Sequence, residues 1–215
     1  FPTMRYSIIF LTIFFFTTSV LKAQIPIEVL VGDEQVSHDF FFFKDLDEKK
    51  HYSVFTQGRF AVNYENEALN TTYLATYLTR NVTKKWGVSI GGASNIQEFN
   101  PLVAISYTHV SKDHRLLVNL FPSLMLGEKT SYEFSGLLIY MPKISEKWSS
   151  FNQLLFATNL ATSNLYHRHS VQQLRIGLDY KQSIQFGLGI NLNFLGEDEG
   201  YYYSRNIGFF VRLTP

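Results

Sequence analysis

From Ser183 to Phe194 the chain alternates without a break: Ile184, Phe186, Leu188, Ile190, Leu192 and Phe194 are apolar, and Gln185, Gly187, Gly189, Asn191 and Asn193 between them are polar or glycine. A period of two sends successive side chains to opposite faces of an extended strand, and it cannot form the single stripe that a helix buries. The preceding segment repeats the pattern, with Leu174, Ile176, Leu178 and Tyr180 against Gln173, Arg175, Gly177 and Asp179. So does the last, where Ile207, Phe209, Val211 and Leu213 oppose Asn206, Gly208 and Arg212, with Phe210 the apolar exception. Three successive strands thus share one apolar face. Weaker copies occur at Val88 and Ile90, at Val103, Ile105 and Tyr107, and at Leu116, Val118 and Leu120. Tyr132 to Met141 and Trp148 to Thr158 carry apolar residues on both faces, the pattern of core strands in a sandwich or of partly lumen-filling strands in a barrel.

Turn signals divide the chain into ten strands, expected near 52–63, 69–79, 86–94, 101–110, 114–125, 131–141, 148–158, 170–180, 183–194 and 203–213. Strands of about 11 residues rising roughly 3.3 Å each at a tilt of about 45° climb on the order of 25 Å, the height of the apolar band of an outer-membrane barrel. The connections Ser111 to Asp113 and Lys181-Gln182 read as tight periplasmic turns, and Asn159 to Ser170 and Leu195 to Tyr202 as long exterior loops. Tyr52, Trp86, Trp148, Tyr180 and Tyr203 fall near strand ends, where interfacial girdles put aromatics. The stretch 24–51 is an N-terminal extension or one more hairpin. Ile25 to Val31 and Val36 to Lys44 flank the turn signal Gly32-Asp33-Glu34, so twelve strands is the alternative. With only ten, the block Phe40 to Phe43 has to bury itself in the lumen or on a partner.

Composition narrows the setting. Of 215 residues 46% are hydrophobic and 16% aromatic, only 17% are charged, the net charge is +1, and there is no cysteine. The missing thiols exclude disulfide scaffolds, thiolate metal sites and cysteine catalysis, and a chain this nearly neutral offers nucleic acid no basic surface. Arg5, the apolar run Ile8 to Val20, and Ala23 followed by Gln24 read as a signal peptide over 1–23, in which 1–3 precede a plausible initiator, Met4. The run is shorter than the roughly 20 residues of a membrane-spanning helix.

An exported chain with such strands is either a soluble sandwich or a membrane barrel. In hydrocarbon every unpaired backbone group costs several kcal/mol, so a sheet facing lipid must close on itself. The aromatic load favours the barrel: an all-β, antiparallel, up-and-down transmembrane β-barrel over 52–215. The Ala-Gln end of the signal peptide, Phe41-Phe42-Phe43-Lys44, Leu174-Arg175-Ile176-Gly177-Leu178, Gln185-Phe186-Gly187-Leu188 and Ile207-Gly208-Phe209-Phe210-Val211-Arg212 together resemble a group of small, mostly uncharacterised outer-membrane barrels of Bacteroidota-type bacteria. The resemblance spans most of the chain beyond residue 23 and implies location and architecture without a known reaction.

Candidate chemistry is sparse. Arg115, Arg175, Asp179, Gln185 and Arg212 are expected in the lumen, either as an internal ion-pair network or as an anion path past three arginines. His167, His169 and Ser170 are expected in an outer loop, where a nucleophile is hard to hold against its base and where two imidazoles lack a third metal ligand. Glu197, Asp198 and Glu199 read as solvated loop charges with some capacity to bind an ion or glycan. The sequence therefore points to an integral outer-membrane barrel without cofactor, in contact with outer-membrane lipid. Its expected role is that of a structural or accessory subunit of a larger complex of envelope proteins. A narrow pore for small polar or anionic solutes and a lipid-modifying enzyme are the alternatives.

Overall fold

The computed structural model describes residues 25–95, 98–127, 130–163, 165–197 and 200–214. The segment read as a signal peptide lies outside them. Among the described residues twelve antiparallel strands, each hydrogen-bonded to its neighbours in sequence, close a barrel in which β1 pairs with β12. They are β1 (Ile27–Gly32), β2 (Gln35–Asp45), β3 (Tyr52–Asn63), β4 (Thr71–Asn81), β5 (Trp86–Asn95), β6 (Phe99–Val110), β7 (Leu116–Met125), β8 (Ser131–Tyr140), β9 (Trp148–Ala161), β10 (His167–Tyr180), β11 (Ile184–Glu197) and β12 (Gly200–Leu213).

The count corrects the ten-strand expectation: the alternative hairpin is part of the wall. Without β1 and β2, β12 and β3 would each present an unpaired edge to lipid. The hairpin is pinned where it meets β12. Asn206 accepts hydrogen bonds from the backbone N–H of Glu34 and Gln35, both at 3.1 Å, and its amide donates to the Gln35 carbonyl at 3.1 Å, while Asp33 accepts from the Ile207 N–H at 2.7 Å. The aromatic block resolves by alternation within β2. Phe41 points inward against Arg212. Phe40 points outward and lies over Gly58 in β3, where a Cβ would come within 2.3 Å of its ring.

Burial follows the period-two pattern. Val29, Val31, Val88, Ile90, Ile105, Ile176, Leu188, Ile207 and Phe209 are exposed on the outside, Phe209 to 72%. Tyr52, Trp86, Tyr140 and Trp148 ring the end that carries both chain termini, and Phe99, Tyr132 and Tyr203 ring the distal end. Water would penalise an aliphatic belt between aromatic rims, and a bilayer rewards it. The two strands with apolar residues on both faces do fill the lumen. In β8 Leu137 is buried while Phe134 is exposed, and in β9 Phe151 is buried while Leu154 is exposed.

The expected long exterior loops are not there. β9 continues to Ala161 and β10 begins at His167, while β11 runs to Glu197 and β12 starts at Gly200. The longest connections, 64–70 and 141–147, lie at opposite ends, so loop length does not distinguish the two sides. The turns 111–115 and 181–183 sit at the end with the termini. Lys181 and Gln182 both take positive φ, 52° and 58°, the mirror-image turn that matches the twist of a tight hairpin.

Candidate functional site

The half of the lumen nearest the termini is filled. Glu28 of β1 is held between two arginines: Arg175 Nε of β10 lies 2.7 Å from its Oε1, and Arg212 Nη2 and Nε of β12 lie 2.5 and 3.0 Å from its Oε2. Arg175 also donates to Asn191 Oδ1 at 2.9 Å and to the Leu174 carbonyl at 3.0 Å. The Arg212 guanidinium sits 4.9 Å from the ring centres of both Phe41 and Phe151, a stacking that suits its weakly hydrated plane. Asp179 accepts from the Gln185 amide at 3.1 Å, and Gln185 Oε1 in turn faces Arg212 Nη1 at 3.5 Å. Across the lumen, Tyr77 and Phe121 stack at 4.6 Å and Phe55 and Phe121 at 5.3 Å, with Leu137 and Ala75 packed around them. Ile139 touches both this cluster and the Leu30, Phe151, Phe210 cluster, so the filling runs from wall to wall. Arg175 is 0% and Glu28 1% exposed, and neither mouth supplies them with water.

Above this plug the lumen opens into a cavity of about 430 Å³. It widens toward the distal rim, where Glu34, Asn63, Leu69, Asn95 and Tyr202 border it, and it reaches down to Arg212, next to the last residue of β12. Amide and hydroxyl groups such as Gln57, Asn100 and Ser204 alternate on its wall with apolar ones such as Phe41, Leu155 and Val171, and charges enter it from separate strands, Asp39 and Arg59 on one side and Glu133 on another. Arg59 Nε stands 3.7 Å from Asp39 Oδ1, too long for a hydrogen bond, and Arg59 Nε and Nη2 are buried without a hydrogen-bond partner. Glu133 Oε1 and Gln153 Oε1 are in the same state. Buried polar atoms left open toward a cavity of this size are what a polar solute or ordered water satisfies.

Four of the five residues expected in the lumen meet around the plug. Arg115 does not: it sits in the β6–β7 turn, its side chain 47% exposed, and pairs with Asp113 at 3.5 Å. The physical reason is the start of β7 at Leu116, which leaves the preceding residue to the turn. With Arg115 outside, and Arg175 and Arg212 sharing Glu28 with Asp39 beside Arg175, the three arginines do not line one path. Sequence reading passed over Glu28 and Asp39 because both belong to the hairpin left outside the ten-strand barrel. Their alternation with Val29 and with Phe40 is the signal that could have found them.

His167, His169 and Ser170 lie in strand β10 and not in a loop. Residues three apart in a strand face opposite ways, but β10 bulges against β9 between His167 and His169, and the extra residue turns His167 to the side of Ser170. His167 Nε2 and Ser170 Oγ are 2.7 Å apart, and Ser170 Oγ donates to Thr158 Oγ1 at 3.1 Å. This face is the outer one, since the register partners of Ser170 are Thr158 and Phe194 on the lipid-facing rows. His169 points into the cavity, 3.9 Å from Glu133 Oε2, so the two imidazoles lie on opposite sides of the wall and share no ion. Glu197 ends β11, and Asp198 and Glu199 lie outside the described residues.

No family model matches the chain, and no curated protein matches it. Solved structures do. The NanC porin aligns at a TM-score of 0.50 and 10% identity over 89% of this chain and 99% of its own. The KdgM porin aligns at 0.45 and 11% over 87% and 96%, and LpxR from Salmonella typhimurium at 0.42 and 9% over 88% and 99%. At these identities the likeness is one of fold. The closed wall, the aliphatic belt between aromatic rims and the fold shared with NanC are those of a β-barrel of the bacterial outer membrane.

Proposed function

We propose that this barrel is a narrow pore for small polar solutes, held closed near the periplasmic end by the Arg175–Glu28–Arg212 plug. It would be one of the small Bacteroidota-type barrels that its strand motifs resemble. The observation that carries the reading is the cavity itself: residues of the distal rim border it and Arg212 of the plug lies at its floor, so the filled half of the lumen is what separates it from the other side. The end bearing both termini is taken as periplasmic, because a chain inserting from the periplasm then passes only hairpin tips across the bilayer. Charge selection is weak in this reading, since Arg59 faces Asp39 and the plug arginines are paired. The solute would be recognised by amide, hydroxyl and aromatic groups such as Gln57, Asn100, Tyr73 and Phe41.

The seal itself favours a second reading, the accessory subunit of an envelope complex, because a lumen that never opens transports nothing. Planar-bilayer recording separates the two. A gated pore shows discrete openings of wild-type protein under applied voltage and steady conductance after Arg212→Ala. Silence of the wild type at every voltage, with conductance only in the variant, overturns the pore and leaves a barrel that is merely filled.

A further inference from the structure

The outer face of a membrane barrel has little use for a buried hydroxyl bonded to an imidazole, yet Ser170 is 7% exposed there, 2.7 Å from His167 Nε2. Aromatic pairs flank the hydroxyl. Phe194 and Tyr203, tilted rings 5.1 Å apart, border it on the β11–β12 side, and Phe134 and Phe156, tilted rings 5.4 Å apart, on the β8–β9 side. Gln172 follows two residues on along the same face, and Arg205 shares its row through Leu192. Depth is set by strand length. β10 has 14 residues where β7 and β8 have 10, and about 11 suffice to cross the hydrocarbon, so the first turns of β10 stand at the distal interface. Aromatic walls, a cation and a hydroxyl–imidazole pair at that depth face the level at which acyl esters of membrane lipids lie.

The geometry points to a lipid acyl-ester hydrolase site on the outer face of the barrel, with Ser170 as nucleophile, His167 as general base and Thr158 as the residue that positions the hydroxyl. The Ser170 hydroxyl turns its proton from Thr158 Oγ1 to His167 Nε2, with the imidazole in the tautomer that leaves Nε2 bare, and as Ser170 Oγ attacks the ester carbonyl carbon that proton passes to Nε2. The carbonyl carbon–alkoxy oxygen bond breaks, and the departing alcohol takes that proton, leaving acyl-Ser170 and a lysolipid. Water then attacks the acyl ester, gives its proton through His167 to Ser170 Oγ, and releases a fatty acid. The Gln172 amide lies on the same face to polarise the carbonyl, and Arg205 to meet a phosphate or sugar headgroup. Ser170 and Arg205 also border the lumen cavity, but ester hydrolysis and conductance are separate readouts, so the assignment is tested independently of the pore.

The test uses the full-length barrel in mixed micelles with phosphatidylethanolamine in one arm and an acylated outer-leaflet glycolipid in the other, the arm that releases fatty acid identifying the lipid. A fluorophosphonate probe reads the nucleophile directly. Wild type should be labelled at Ser170 and release fatty acid. Ser170→Ala should lose both, and His167→Gln should retain the hydroxyl but fall roughly 100-fold in rate. Heat-modifiable migration on gels confirms that each variant is a closed barrel. Wild type that is folded but neither labelled nor active in both arms overturns the assignment, as does labelling that persists in folded Ser170→Ala.

Discussion

Replacing Glu28 by glutamine tests whether the plug is dry. The carboxylate is 2% exposed and takes three charge-assisted hydrogen bonds, at 2.7, 3.0 and 2.5 Å, from two arginines. Glutamine keeps the shape but offers one acceptor oxygen in place of two, and its amide nitrogen meets a guanidinium N–H as donor against donor. The lumen around it holds Arg59, Arg175 and Arg212 against Glu28, Asp39 and Asp179, so the change leaves one buried positive charge without a counterion. Leaving a buried charge uncompensated costs about 3–5 kcal/mol. Urea unfolding in detergent or lipid, followed by tryptophan fluorescence, should show a loss of that size. Adding Arg212→Met, which keeps an apolar stem between Phe41 and Phe151, should restore part of it, with a coupling energy of about 1–3 kcal/mol. A loss below about 1 kcal/mol, or strict additivity, would mean that water reaches Glu28 and that the lumen is not sealed where we place the seal.

Three further outcomes are expected. Gly189→Val should destabilise the barrel by about 1–3 kcal/mol in the same assay, because a Cβ there would stand 2.5 Å from Leu30 Cδ1 and 3.2 Å from Arg175 Cδ, displacing the arginine stem from the wall. Trp86 and Trp148, which both open their strands at the terminal rim, should be quenched more by lipids brominated near the headgroup than by lipids brominated near the chain end, and the reverse order would move the membrane boundary. In the β6–β7 turn the Ser111 hydroxyl at 2.6 Å, and after it the Arg115 N–H, hold Asp113 below the ordinary 3.8 of an aspartate. A depressed carboxylate contributes its stabilisation above the unfolded value and loses it as pH falls through the folded one. Carboxyl NMR should therefore find Asp113 more than half ionised at pH 3.8, and the acid-side loss of turn order should vanish in Asp113→Asn.

Strands β10 to β12 could be read almost residue by residue because lipid on one side and a polar lumen on the other impose opposite chemistry on alternate positions. Reading became harder wherever the lumen stopped being polar. Phe151, Leu137 and Phe210 are inward yet apolar, since half the lumen is filled, and filling with aromatics erases the alternation that marks a strand. β1 is short, and its inward Glu28 and Leu30 mix charge with grease, so the hairpin looked like an extension. The His167–Ser170 pair was hidden by a different cause. A bulge is a property of two paired strands, set by the register of β10 on β9, and the spacing of three in one strand by itself predicts opposite faces.

The same two halves explain why twelve strands suit this chain better than ten. A barrel widens with strand number, and beyond eight strands side chains from the wall alone no longer meet at the axis. The terminal half meets that deficit with the longest side chains available, Arg175 and Arg212, each reaching inward to Glu28 and propped on Phe210, Phe41 or Phe151. Where the wall carries Ser94, Thr71, Ala93 and Ala157 nothing spans the axis, and the cavity remains. The boundary between sealed and open lumen is thus a matter of side-chain length against barrel width, and it makes a directional demand. Shortening Arg212 should deepen the cavity from its floor, whereas enlarging Ala93 or Ala157 to leucine should fill it from its wall and lower the conductance of the Arg212→Ala barrel. If Ala157→Leu leaves that conductance unchanged, solute does not travel through the cavity, and the path lies elsewhere in the lumen.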